Sequence, residues 1–226
     1  MSRRKLYDLA GADPALRFSP FCWRIKLALA HKGLDFETIP WRFTEKDVIG
    51  FSGQKLVPVL VDGERVVSDS QAIAEYLEET YPEAPSLFGD SPSRALIQFV
   101  RRWTDGALHV ALASILMPDI YRVIHPGDQG YFRESREQRF GITLEALAAR
   151  REQNVAALQA VLNPLRFTLK GQAFLAGEKP LYADHLVFGA LQWARKTSST
   201  PLLQADDPIN DWMERVLNFY AGKLER

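Results

Sequence analysis

One punctuated stretch limits this chain more than any other feature. Positions 82–92 read PEAPSLFGDSP, with three prolines, a glycine and two serines in eleven residues. Such a cluster continues neither a helix nor a strand. Before it, runs of period two alternate with runs of helical period; after it, strand signals stop. Over 226 residues this switch predicts a mixed α/β unit at 1–82, a linker at 83–92 and an all-helical unit at 93–226.

Within the first unit, KLYDLAG (5–11) reads as a short strand ended by glycine. Phe21, Ile25, Ala28 and Leu29 then share a helical face that Gly33 closes. DFETIP (35–40) reads as a strand, and VPVLVDG (57–63) with RVVSD (65–69) as a hairpin turning at Asp62-Gly63. A helix over 69–82 carries Ala72, Ile73, Tyr76 and Leu77 inward. The expected order is β-α-β-(α)-β-β-α. Beyond the linker, four faces recur at helical spacing: Leu96 to Ala111, Leu144 to Leu165, Leu186 to Ala194, and Ile209 to Tyr220. Positions 118–141 lack a clear period and carry two prolines and three glycines, which predicts an interrupting loop.

Composition removes several function classes. Lys+Arg and Asp+Glu are both 28, so the zero net charge argues against a general nucleic-acid binder. No apolar run of membrane-spanning length occurs, and none of signal-peptide length follows the basic start MSRRK. The single cysteine excludes an internal disulfide, and the four scattered histidines give no zinc spacing, so no metal is expected. The cytoplasm is the simplest compartment.

Three short segments carry chemistry. In Ser19-Pro20-Phe21-Cys22, a serine followed by proline is a strong helix start. That serine can be a plain cap, or its hydroxyl can donate to a thiolate at a helix N-terminus, where negative charge is favoured. Pro58, inside the apolar run Leu56 to Val59, cannot donate to a sheet ladder. It marks an edge, a bulge or a cis bond that would turn the Val57 backbone outward. Ser68-Asp69-Ser70 opens a helix; Asp69 and Ser70 can cap it or hold a ligand with an amine and a carboxylate.

In this order, before a helical second half, the segments resemble the glutathione transferase superfamily over nearly the whole chain. SPFCWRIKLALAHKGLDFE, KLVPVLVDG, SDSQAIAEYLEETYP and TPLLQADDPINDWMERVLNFY are most similar to β-etherase-like transferases. That group includes glutathione-dependent β-aryl etherases of lignin-derived ethers. The resemblance implies a thioredoxin-like α/β domain joined to an all-α domain, with glutathione as co-substrate. Ser19 then bonds the glutathione sulfur. Val57, before Pro58, pairs with the cysteinyl backbone. Asp69 and Ser70 grip the γ-glutamyl group, and Gln54 and Lys55 lie near the glycyl carboxylate. Asp184 matches the buried aspartate of a folding motif, although Leu181 replaces its usual hydroxyl partner.

The resulting expectation is a transferase whose thiolate attacks a hydrophobic small-molecule electrophile, aromatic ethers included. Phe21, Trp41, Phe43, Trp103, Met117 and Tyr121 are the candidate pocket residues, each also a candidate for core. A non-catalytic glutathione or aromatic carrier, and a thiol redox protein using Cys22, are the competing readings. A homodimer follows from the resemblance alone.

Overall fold

The computed structural model describes residues 4–224. The first three residues, part of the basic start, lie outside them. Four strands form one mixed sheet in the order β2-β1-β3-β4. β1 (Arg4–Leu9) runs parallel to β2 (Phe36–Trp41), with α1 (Pro20–His31) as the crossover between them. β3 (Val59–Asp62) is antiparallel to β1 and to β4 (Arg65–Ser68). Pro40 is tolerated because β2 is an edge strand. A 3₁₀ turn, Lys46–Ser52, precedes β3, and α2 (Ser70–Thr80) follows β4.

Seven helices complete the described chain: α3 (Ser91–Trp103), α4 (His109–Val123), α5 (Pro126–Phe140), α6 (Leu144–Ala149), α7 (Arg151–Gly171), α8 (Tyr182–Thr197) and α9 (Pro208–Phe219). This is a thioredoxin-like domain followed by a helical one. No helix among the described residues is long and apolar enough to cross a membrane.

Three details depart from the sequence reading. The segment expected as a loop contains the end of α4 and all of α5. Pro126 stands at the first position of α5, where its missing N–H costs nothing, and His125 caps that helix. On α2, Ala74 is buried and Ala72 exposed. On α3, Leu96 is 68% exposed, and the buried stripe runs one residue later through Ile97, Thr104 and Leu108. Thr104 belongs there because its hydroxyl donates to the Val100 carbonyl at 2.8 Å. A π turn over Thr104–Leu108 joins α3 to α4 and shifts the helical register.

α8 is the axis of the molecule, buried along almost its whole length and packed against α1. Its Asp184 makes only half of a capping box, because the leucine side chain offers no acceptor. The carboxylate accepts instead from the amides of Leu181 and Leu175 and from Trp212 Nε1, at 3.1, 2.8 and 3.0 Å. Burial raises its pKa to about 6.

A buried polar chain ties α1, α8 and the end of α9 together. Tyr220 Oη lies 2.8 Å from His31 Nδ1 and 2.8 Å from His185 Nε2. His31 Nε2 faces the Ser86 carbonyl at 3.0 Å and therefore donates to it. With His31 neutral, its Nδ1 accepts from Tyr220, so the tyrosine oxygen accepts from His185 Nε2–H.

Candidate active site

Strand register builds the site. Tyr7 pairs with Val59, and Val59 with Ser68. The end of β1, the start of β3 and the end of β4 therefore share one edge of the sheet. The segments leaving that edge bring Ser19, Val57-Pro58 and Asp69-Ser70 to one end of the domain.

Ser19 is the N-cap of α1, and its Oγ accepts from the Cys22 amide at 3.2 Å. That bond uses a lone pair of the oxygen, and the hydroxyl hydrogen can be donated, the Cys22 sulfur being one acceptor within reach. Cys22 lies beneath, with no exposed surface and its sulfur 3.8 Å from the Tyr7 carbonyl. Burial pushes this thiol well above its ordinary range. A thiol held in that state is a poor nucleophile.

The Val57–Pro58 bond is cis. β3 begins only at Val59, so the Val57 backbone stands outside the ladder. Asp69 caps α2 from a backbone with φ of 75°, a costly conformation for a residue with a side chain. One carboxylate oxygen accepts from the amides of Gln71 and Ala72 at 2.9 and 3.1 Å. Ser70 is buried, and its carbonyl accepts from Tyr182 of α8 at 3.1 Å. Gln54 and Lys55 are exposed after the 3₁₀ turn.

Where α1 meets the helical domain, groups that sequence reasoning missed come together. Arg24 is almost wholly buried, donates to Asp105 Oδ1 at 2.7 Å and lies 3.4 Å from His109 Nε2. The π turn presents Asp105 and the following His109 to it. Burial, and then the Arg24 charge, lower the His109 pKa to about 3. The neutral ring accepts from Arg24 through Nε2 and points Nδ1–H toward Asp105. Phe21 and Trp193 both stand edge-on to His109, with ring centres at 5.1 and 6.0 Å. Arginine inside a helix start gives no sequence signal for such a role; only the fold supplies its partners, 81 and 85 residues away.

The pocket candidates are dispersed. Phe21 is 38% exposed. Phe43 is packed between Phe18 and Phe132, with ring centres at 6.4 and 5.4 Å. Trp41 is buried and donates to the Glu45 carbonyl at 2.7 Å. Met117 is buried in α4, and Tyr121 lies under the Arg133 guanidinium. Trp103 lines a separate cavity of about 230 Å³ with Phe99, Leu165 and Val187.

Residues 95–219 match the family profile for the glutathione S-transferase C-terminal domain, and residues 18–80 that for the N-terminal domain. The chain belongs to the glutathione S-transferase family. Among transferase relatives, glutathione S-transferase Z1 of Arabidopsis thaliana is 45% identical over 78 residues, 32% of this chain and 35% of that protein. The chain thus spans about a third of the length of such plant transferases. Solved transferase structures share the fold. GSTFuA3 from Phanerochaete chrysosporium superposes with a TM-score of 0.87 at 23% identity, covering 97% of this chain and 98% of that one. CsGST63524 of Ceriporiopsis subvermispora, solved in complex with glutathione, gives 0.83 at 24% identity, covering 100% and 98%.

Proposed function

We propose that this chain is a glutathione transferase that activates the glutathione thiol through Ser19. The reading is carried by the Ser19 cap at the positive end of α1, whose oxygen accepts from the Cys22 amide and whose hydroxyl can turn from the Cys22 sulfur to a bound thiolate. Glutathione lies along the sheet edge. Val57 pairs with its cysteinyl backbone, Asp69 and Ser70 hold the γ-glutamyl group, and Gln54 with Lys55 meets the glycyl carboxylate. The remaining Asp69 oxygen faces the ligand ammonium. The glutathione thiol loses its proton to solvent, and Ser19 O–H donates a hydrogen bond to the thiolate that results. No metal is needed for this step.

The thiolate attacks an electrophilic carbon in the cleft between Phe21 and the helical domain. An S–C bond forms, and the leaving group departs with the electron pair of the bond that breaks. The acceptor class is hydrophobic and aromatic, aryl ethers included, as the likeness to β-etherase-like transferases suggests. Cys22 takes no part, and its burial disfavours a redox function. A second copy covers the apolar side of α3, where Leu96 and Phe99 are 68% and 71% exposed. The lone reduced cysteine suits the cytoplasm.

Titrating the bound glutathione thiol by thiolate absorbance tests this. The expected result is a pKa well below ~8.5 that rises in Ser19→Ala while glutathione stays bound. An unshifted pKa in both proteins would leave Ser19 a helix cap and the chain a carrier.

A further inference from the structure

The helical domain encloses a cavity of about 450 Å³ that the transferase site does not use. Its wall comes from α4, α7, α8, α9 and residues 198–203 of the loop between the last two helices. Every lining residue lies between Leu112 and Glu214, and none belongs to the sheet domain that carries Ser19, Val57 and Asp69. Folded interiors are close-packed, with few voids larger than a water molecule. A space this large falls instead in the range of small-molecule pockets.

A polar frame holds the cavity open. Arg151, at the start of α7, pairs with buried Asp119 of α4 at 2.7 Å and donates to the hydroxyl oxygens of Ser198 and Thr200, both at 2.9 Å. Asp119 also accepts from the Ser199 amide at 3.2 Å. Gln159 of α7 donates to the Leu202 carbonyl at 3.0 Å. The loop is thus tied to α4 and α7 along its length, and its leucines cannot settle into the space without breaking these bonds. Such a collapse would otherwise recover the contacts that an empty space loses.

The lining specifies the ligand. The buried part of the wall is aliphatic, with Leu112, Leu158, Leu162, Leu191, Ala194 and Met213. Ser199 and Thr200 supply hydroxyls at its exposed part. Among the described residues the wall holds no aromatic ring, and its only charges are the half-exposed pair Arg195–Glu214, 2.6 Å apart. That pair cancels itself, so the rim offers hydrogen bonds to a neutral group rather than a partner for an ion. We propose that this cavity is a second ligand site, which takes an uncharged aliphatic molecule with a hydroxyl or carbonyl at one end. The chain lies against the leucines, and the polar end meets Ser199 and Thr200. The site stands whether or not Ser19 activates a thiol.

The probe is n-decanol, followed by NMR of isotope-labelled methionine methyl groups. The chain has three methionines, and of the two among the described residues Met213 lines the cavity while Met117 does not. Decanol should shift the Met213 methyl saturably, leave that of Met117 in place, and bind equally well with glutathione present. Decanoate must desolvate a carboxylate beside Glu214 and should bind about tenfold more weakly or worse. Ala194→Phe, which fills the space from α8, should weaken decanol binding about tenfold or more. Leu203→Gln, on the loop, should weaken it about threefold or more and gives the reading if Ala194→Phe does not fold. A Met213 signal that stays unmoved, an affinity unchanged in the folded variants, or competition by glutathione would overturn the site. Equal binding of decanoate would overturn the ligand class.

Discussion

Gly189 of α8 lies so close to Pro20 of α1 that a Cβ on it would stand 2.4 Å from the Pro20 carbonyl oxygen. The same atom would meet Arg24 Cγ at 3.1 Å. The obstacle is backbone, so it cannot rotate aside. The two helices cross there at backbone contact, one residue from Ser19. Gly189→Ala should therefore destabilise the protein by about 1–3 kcal/mol in denaturant unfolding. It should also displace the start of α1 and raise the pKa of bound glutathione. Loss of stability without any change in the thiol titration would show that α1 moves as a rigid piece.

Acid should unfold the protein through its histidines. His31, His109 and His185 all have pKa values lowered by burial from the ordinary 6.5. Unfolding lets each take up a proton more readily, so the stability they contribute is present above about pH 6.5 and lost as pH falls below it. Asp184 acts in the opposite sense. Its pKa rises from 3.8 to about 6, so its contribution returns as the pH falls through that window. Three histidines outweigh one carboxylate, and unfolding free energy should fall steadily below pH 6.5. Tyr220→Phe, which leaves His31 Nδ1 and His185 Nε2 unpaired, should cost about 1–3 kcal/mol at neutral pH. Flat stability between pH 7 and about 5 would refute this account.

Cys22 should be silent while the protein is folded. Its sulfur has no exposed surface, and burial holds the thiol protonated. A disulfide reagent should label it only at the rate of unfolding. Cys22→Ala should leave kcat/KM within about twofold while costing roughly 1 kcal/mol for the lost packing. Rapid labelling of native protein would reopen the redox reading.

The fold was legible where period and punctuation agreed. α8 and α9 present the faces that their spacing predicted, and Gly33 ends α1 with φ of 68°. α5 was not legible because Pro126, Gly127 and Gly130 read as breakers, while its inward face is little more than Phe132 and Asp128. On α3, polar Thr104 hides the true stripe and Leu96 imitates it. Local site features such as the Ser19 and Asp69 caps announce themselves in sequence. Arg24, Asp105 and His109 do not, because they gain their meaning from meeting one another across two helices.

The proline-rich segment between α2 and α3 looks in sequence like a hinge, yet Leu87 and Phe88 within it have essentially no exposed surface. The Leu87 carbonyl accepts from the Tyr182 amide at 2.8 Å, its own amide donates to Glu78 at 2.9 Å, and Phe88 stacks edge-on against Tyr182. Swinging the halves apart would pull these side chains into water and break the His31 bond to Ser86. The segment is thus a clasp, and the jaw it holds is fixed. Under the transferase reading proposed above, turnover should therefore proceed without the two halves swinging apart and should respond little to solvent viscosity.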